Sequence, residues 1–189
     1  LLSNGIDHVY HEHRFYFSEH SLTLALARNG LNPVLVEHVP MQGGSLRVTC
    51  RKGGDPAKPL KVMFKEYGLT QPDALAGLQA RADYLRARLL DVLDQELQRG
   101  NVAGWAASAK SSTLLNWCGI STDRISHIVD TTPAKIGRYT PGTKIPVVGP
   151  GQRPDPDTFL LLAHNYVNRV RSDPFQGRWL VPIPVPMVI

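Results

Sequence analysis

The chain has 189 residues, of which 42% are hydrophobic and 20% are charged, and its formal net charge is +5. This composition is typical of a soluble globular protein, and no apolar run approaches the roughly 20 residues that a membrane-spanning helix needs. The first residues lack the basic start and long apolar stretch of a signal peptide. Basic and acidic residues are interspersed over 81–94, so the positive excess favours an anionic small molecule over a nucleic acid.

The first half of the chain predicts a helix followed by an antiparallel hairpin. Ser18 can cap the sequence EHSLTLALAR, and Asn29-Gly30 provides a helix stop. Two strands rich in Val and Leu are predicted at 33–40 and 44–52, with the turn sequence MQGG between them. The second of these strands contains Cys50. Together with the distant Cys118 it matches no metal-ligand spacing, which predicts free, buried thiols in a reducing cytoplasm.

The second half predicts one long helix and then an alternation of strands and helices. A Gly- and Pro-rich loop at 52–59 precedes a helix over 72–99, which begins at Pro72 and carries an apolar residue every three or four positions. After Gly100, NVAGWAAS is a strand that runs into a turn, and AKSSTLLNWCG is a helix. Further strands are predicted at 124–130, 158–165 and 178–184, the second of them followed by a short helix. This alternation favours parallel βαβ units, so we expect an α/β fold with a Rossmann-like sheet.

The sequence GWAASAKSS marks the strand-to-helix turn of this predicted sheet. Small residues let a ligand approach the backbone, the N–H groups of a helix start attract phosphate, and Lys110 would add a positive charge. The pattern is neither GxGxxG nor a Walker loop, so a plain turn with a surface lysine is an equal alternative. Asp130 follows the next strand, about twenty residues on, at the offset of a ribose-binding acid.

The segment HVYHEHRFYFS, residues 8–18, is dense in groups that bind metals or move protons. In a strand, His11 and His13 would face one side and could reach a metal, but no third ligand has a recognisable spacing, and we assign no metal ligands. A histidine beside a tyrosine and a carboxylate can instead serve general acid–base catalysis. An exposed polar loop is the third interpretation, and spacing alone leaves it open.

Several longer stretches, in order along the chain, carry a resemblance to a known family. They are DHVYHEHRFYFSEHSL, VEHVPMQGGSLRV, VAGWAASAKSSTLLNWCGI, IVDTTPAKIGRYTPGTKIPV and WLVPIPVP. Together they are similar to the bacterial sugar C-methyltransferases that depend on S-adenosyl-L-methionine (SAM). Members of that family methylate C-3 of nucleotide-linked keto-deoxysugars. They contain a zinc-binding N-terminal domain, a class I methyltransferase domain and a Rossmann-like C-terminal domain.

The resemblance implies a domain order. Residues 1–52 would be the remnant of a class I methyltransferase domain, with the helix and antiparallel strands that end its sheet. Residues 53–100 would be a loop and a long linking helix, and residues 101–189 a Rossmann-like substrate-binding domain. The family's zinc-binding cysteines and Gly-rich SAM loop are absent. SAM would therefore be bound mainly by an upstream region, and this chain alone would be inactive.

The resemblance also implies site residues. Three residues of YHEH would line an enolate-forming site: His13 as the leading base, Tyr10 as proton donor or alternative base, and Glu12 as an orienting or sugar-hydroxyl partner. His11 would pack against the body of the protein. The residues assigned to substrate binding are Ala107, Ser108, Lys110 and Asn165, with the turn at 107–110 facing the pyrophosphate.

The expected partners are a nucleotide-linked keto sugar or a related small molecule and the upstream remainder of the methyltransferase, without nucleic acid or membrane, in the cytoplasm. The alternative is a non-catalytic nucleotide-binding or interaction module. A nicotinamide oxidoreductase is disfavoured because the glycine fingerprint is missing.

Overall fold

The structure, a computed structural model, describes residues 6–41, 44–53 and 76–189. Most of the predicted loop at 52–59, the predicted helix start at Pro72 and the centre of the MQGG turn lie outside these residues. The chain divides into two compact units, and the larger one combines residues 6–13 with residues 78–189. These limits differ from the predicted domain limits, because Ile6 and the long helix pack into the core of the C-terminal sheet.

The smaller unit holds the predicted helix and hairpin. Its elements are α1 (Glu19–Arg28), β1 (Leu31–Val39) and β2 (Ser45–Lys52). Ser18 caps α1 as predicted: its Oγ accepts a hydrogen bond from the backbone N–H of Ser21 at 3.1 Å, and Ser21 Oγ accepts one from the N–H of Ser18. The hairpin is antiparallel, with one irregularity after Pro33, which has no N–H to donate. The buried Glu19 pairs with His38 and joins the helix to the hairpin.

The larger unit is an α/β sheet with helices. Its elements are a 3₁₀ helix (Ile6–His8), α2 (Leu78–Arg99), β3 (Val102–Trp105), α3 (Ala109–Cys118), β4 (Ile128–Val129), β5 (Val147–Val148), β6 (Thr158–Leu161), a second 3₁₀ helix (His164–Tyr166), α4 (Val167–Val170), β7 (Arg178–Val181) and β8 (Met187–Val188). The strand order is β5-β4-β3-β6-β7-β8, parallel throughout except for β8. The predicted Rossmann-like architecture is thereby confirmed.

The topology places a switch point in the middle of this sheet. From β3 the chain runs outward through β4 to β5, then crosses back to β6, which pairs with β3 in parallel. The carboxyl ends of β3 and β6 therefore lie side by side, and the chain leaves them toward opposite edges. In open α/β sheets such a point forms the crevice that receives ligands.

The strands are shorter than their apolar patterns predict. β4 has two residues where seven positions, 124–130, were predicted, and β6 ends at Leu161 rather than at residue 165. Ile125 and Leu162 nevertheless stay fully buried beyond the strand ends. Burial produces the same run of apolar letters whether or not the backbone is paired, so the pattern overestimated strand length.

Two apolar clusters cover the two faces of the sheet, because alternate strand residues point to opposite sides. On one face, α2 and α3 contribute fully buried leucines such as Leu89 and Leu115. On the other face, Phe159 and Trp179 stack with their ring centroids 5.2 Å apart, and Trp105 meets both edge-on. None of the described helices, α2 included, is both long and apolar enough to span a bilayer.

Glu96 ties α2 to the amino ends of β6 and β7. Its carboxylate is buried and accepts hydrogen bonds from Thr158 Oγ1 at 2.7 Å and Arg178 Nε at 2.6 Å. Burial alone would raise the pKa of Glu96, but these hydrogen bonds and the neighbouring arginine charges outweigh it and lower the pKa. The helix is thus fixed to the sheet by a charged contact as well as by apolar packing.

Candidate active site

Residues 10–13, the YHEH sequence, form a tight turn. The backbone N–H of His13 donates to the carbonyl of Tyr10 at 2.9 Å, which closes the turn. Such a turn brings its first and fourth residues together and leaves the middle two at its outer corner. Tyr10 and His13 are accordingly half-buried, whereas the side chains of His11 and Glu12 are 86% and 67% exposed.

Tyr10 and His13 make a hydrogen bond whose direction follows from a second contact. Tyr10 Oη lies 2.8 Å from His13 Nε2, and His13 Nδ1 lies 2.9 Å from the carbonyl oxygen of His8. A carbonyl oxygen only accepts, so the proton of the neutral imidazole sits on Nδ1. Nε2 then carries the lone pair, and the Tyr10 hydroxyl donates to it. The arrangement can pass a proton from the phenol to the imidazole.

Glu12 and His11 occupy the outer side of the same turn. Oε1 of the Glu12 carboxylate lies 4.0 Å from Nε2 of the His11 imidazole. The structure therefore joins Tyr10 with His13 by a hydrogen bond and leaves the Glu12 side chain exposed to solvent. The expectation that His11 packs against the body of the protein is wrong, because the second position of the turn faces solvent.

The first 3₁₀ helix lies against the start of α3. Lys110 Nζ is 3.2 Å from His8 Nε2, and because an ammonium group has no acceptor, the imidazole accepts this hydrogen bond. Burial and the Lys110 charge lower the pKa of His8, and the carboxylate of Asp7 partly offsets them. Lys110 itself is only 7% exposed. Burial lowers the pKa of Lys110, again with a partial offset from Asp7.

Asp7 is the most deeply buried group of this cluster. It is 1% exposed, and neither of its carboxylate oxygens has a hydrogen-bond partner among the described residues. His164 begins the second 3₁₀ helix, shortly after β6 ends at Leu161. Its Nδ1 lies 3.3 Å from Asp7 Oδ2, but the two groups are not aligned for a hydrogen bond. Burial lowers the pKa of His164, whereas the nearby Asp7 raises it in part.

Asp130 holds the β3–α3 turn from the end of β4. Its carboxylate accepts hydrogen bonds from the backbone N–H groups of Ala107 at 2.7 Å and Thr132 at 2.8 Å, and from Lys135 Nζ at 3.2 Å. Burial would raise the pKa of Asp130, but these hydrogen bonds lower it overall. Asp130, which lies at the sequence distance expected of a ribose-binding acid, is thus hydrogen-bonded to groups of the protein itself.

The other residues assigned to substrate binding have these positions. Ser108 is the N-cap of α3: its Oγ accepts from the N–H of Ser111 at 3.2 Å, and Ser111 Oγ accepts from the N–H of Ser108. Its hydroxyl is therefore used in capping. Ala107 is half-buried in the turn, and Asn165 is half-buried in the second 3₁₀ helix, beside His164.

Sequence reasoning missed Asp7, His8 and His164 as members of the cluster. Asp7 and His8 adjoin the YHEH motif, and His164 lies at the predicted carboxyl end of a parallel strand, one position before Asn165. Proximity to the motif and to the predicted strand end was the only indication of a site role that the sequence offered for these residues. The burial of Asp7 and His164 depends on long-range packing, which the local pattern does not show.

The switch point of the larger sheet does not fit SAM. At the switch point a ligand would meet the buried carboxylate of Asp7, and the acid that could bind a ribose, Asp130, is bonded to its own turn. No group of three His, Cys, Asp or Glu side chains within the described ranges is arranged to hold a metal ion.

Comparison with known proteins relates the chain to a protein family and to an individual protein. Residues 40–184 match the family described as C-methyltransferase C-terminal domain. The whole chain is also similar to C-methyltransferase NovU of Streptomyces niveus, with 32% identity over 203 aligned residues. It spans about half of that protein's length, 48%. The Tyr10–His13 turn precedes the family match but lies within the alignment to this relative.

Proposed function

The chain belongs to the family of C-methyltransferase C-terminal domains, and from this premise we propose that it takes part in methyl transfer to a carbon atom of a nucleotide-linked keto sugar or a related keto metabolite. SAM is the proposed methyl donor, and it would supply an electrophilic methyl group from a site outside the described residues. The observation that supports the chemistry best is the oriented hydrogen bond between Tyr10 and His13.

The proposed role of this pair is to remove a proton from carbon. A carbon beside a carbonyl becomes a nucleophile only after it loses a proton, so a base must act first. The C–H electron pair moves into the enolate, and the proton passes to Tyr10 Oη. At the same time the Tyr10 proton passes to Nε2 of His13, 2.8 Å away. The resulting imidazolium donates from Nδ1 to the His8 carbonyl, which stabilises its charge.

Glu12 is proposed to contact the sugar. Its carboxylate is exposed at the outer corner of the turn that carries Tyr10 and His13. A hydroxyl group of a bound sugar could donate to it while the keto carbon faces the pair. The assignment of Ala107, Ser108 and Asn165 to the nucleotide stays a prediction.

The test uses the gene product that contains this chain, with any residues upstream of it (the complete gene product). Transfer of labelled methyl groups from SAM to keto-sugar nucleotides is measured for the wild type and for Tyr10→Phe. Phe keeps the ring and removes the proton path, so turnover should fall about 10²-fold, the scale of general acid–base catalysis. His11→Gln, on the exposed corner, is the matched control. If the wild type transfers no methyl group but binds nucleotides, the non-catalytic module is the better description.

A further inference from the structure

The switch point of the larger sheet is occupied by the protein itself. Lys110 in the first turn of α3 and His164 just after β6 belong to the two connections that leave this point. A Rossmann-type sheet ordinarily presents such groups to a ligand. Here the carboxylate of Asp7 lies 3.3 Å from His164 Nδ1, and its charge partly offsets the lowering of the pKa of Lys110 by burial.

The burial of the cluster excludes direct contact with a substrate in this conformation. Asp7, Lys110 and His164 are 1%, 7% and 9% exposed. Both Asp7 oxygens are shielded and have no hydrogen-bond partner among the residues described. A buried carboxylate in this state is unfavourable unless nearby charge compensates it. The nearby cation is Lys110, whose ammonium group donates a hydrogen bond to the ring of the adjacent His8 and so contacts the same 3₁₀ helix.

This 3₁₀ helix connects the cluster to the proton-transfer pair. Asp7 and His8 are adjacent in it, and the ring of His8 accepts a hydrogen bond from Lys110. The carbonyl of His8 accepts the Nδ1 proton of His13 at 2.9 Å. Whatever fixes the helix at Asp7 therefore fixes the carbonyl that selects the tautomer of His13.

We propose that Asp7, Lys110 and His164 are positioning residues: they anchor the 3₁₀ helix Ile6–His8 at the switch point and so keep the proton of His13 on Nδ1 and its lone pair toward Tyr10. The consequence for turnover rests on the proposed function, whereas the anchoring is a property of this chain alone. The inference gives Lys110 a different role from the pyrophosphate contact expected from the resemblance. A substrate contact would raise KM, and a positioning role lowers kcat.

The first experiment measures the tautomer of His13 in the chain by itself. Nitrogen-15 NMR of histidine-labelled protein, with His13 assigned by comparison with His13→Gln, distinguishes a protonated Nδ1 from a protonated Nε2. We expect the Nδ1–H form in the wild type and a mixture of both forms in Asp7→Asn and Lys110→Met. The matched controls are Asp155→Asn and Lys144→Met, which make the same changes at exposed positions. An unchanged tautomer in both cluster variants would overturn the proposal.

The second experiment asks whether Asp7 and Lys110 act on each other. The Tm is measured for both single variants and for Asp7→Asn combined with Lys110→Met. If each charge compensates the other, the double variant loses less Tm than the two single variants lose in sum, by at least about 4 °C. If one single variant fails to fold and the double variant folds, the coupling is shown directly. Additive shifts mean that the two groups are independent, and the proposal fails.

The third experiment separates positioning from substrate contact in the complete gene product. For Lys110→Met we expect kcat to fall about tenfold or more, with KM within about threefold of the wild type. A raised KM with an unchanged kcat would return Lys110 to the substrate and overturn its positioning role. If the wild type shows no methyl transfer, the proposed function fails, while the NMR and melting results still decide the anchoring.

Discussion

The hydroxyl oxygen of Tyr10 lies 2.8 Å from Nε2 of His13, and the turn that joins the two residues holds them there. Because the carbonyl of His8 takes the other imidazole proton, the hydroxyl is the donor in this contact. The relationship is local, since all three residues lie within six positions of the chain. One short segment therefore fixes the geometry of this hydrogen-bonded pair.

Replacement of His13 should remove the proton acceptor. In the complete gene product, His13→Ala is expected to lower turnover roughly 10²-fold, the usual contribution of a general base, with a smaller effect on substrate KM. The measurement is steady-state methyl transfer to a keto-sugar nucleotide. His11→Ala is the control, because that side chain is exposed two positions away. Turnover near that of the wild type would remove His13 from the mechanism.

The chain alone should not bind SAM with micromolar affinity. Its switch point contains a buried carboxylate, and Asp130 is held by hydrogen bonds within its own turn. Isothermal titration calorimetry of the 189-residue chain with SAM checks this, with the complete gene product as the positive control. A saturable heat at micromolar SAM in the chain alone contradicts the prediction and would show that the described residues offer a donor site.

Sequence patterns identified the elements whose signals are local. The start of α1 was predicted from Ser18 as its cap, because capping depends on three or four neighbouring residues, and the structure shows the same kind of cap at Ser108, where α3 begins. The edge strands β5 and β8 have two residues each and were not predicted, because such short strands are defined by pairing with a neighbour rather than by a pattern of their own.

The candidate site likewise has one part that depends on local sequence and one part that depends on long-range packing. Tyr10 and His13 were assigned from the resemblance to the sugar C-methyltransferases, and a turn of four residues brings them together. The cluster around Asp7 was not predicted, because His164 and Lys110 come to it across more than a hundred positions of sequence. A polar residue near a strand end indicates a site only once the sheet order is known.

Cys118 should be unreactive toward thiol reagents in the folded protein. It is buried on α3, and this burial raises the pKa of its thiol to about 12, so almost no thiolate is present at pH 8. Titration with a chromogenic disulfide should therefore detect the half-buried Cys50 first. Cys118 should react only after denaturation. A Cys50→Ser variant isolates the Cys118 signal, and rapid reaction of that variant under native conditions would contradict the prediction.

Glu96 should stabilise the fold in a pH-dependent manner. The pKa of Glu96 is lowered in the folded state relative to an unfolded value of about 4.3. The ionised carboxylate therefore stabilises the folded state. The contribution is fully present above the unfolded pKa and is lost as pH falls through the folded pKa. At pH 7, Glu96→Gln should lower the free energy of unfolding by about 2 kcal/mol, as expected for hydrogen bonds to a charged group.

The measurement for Glu96 is urea denaturation of the wild type and of Glu96→Gln between pH 7 and pH 3. The difference between the two proteins should shrink below about pH 4. Glu37→Gln, in the smaller unit, controls for the general effect of acid. A difference that stays constant over this range would mean that packing, rather than ionisation, accounts for the effect of the substitution.

The larger unit is discontinuous in sequence, since residues 6–13 belong with residues 78–189. When the larger unit folds, residues 14–77 act as a loop whose two ends must be brought together. The entropy of closing a loop grows only with the logarithm of its length, about 0.6 kcal/mol for each doubling. Insertions or deletions within that stretch should therefore be tolerated by the Tyr10–His13 pair.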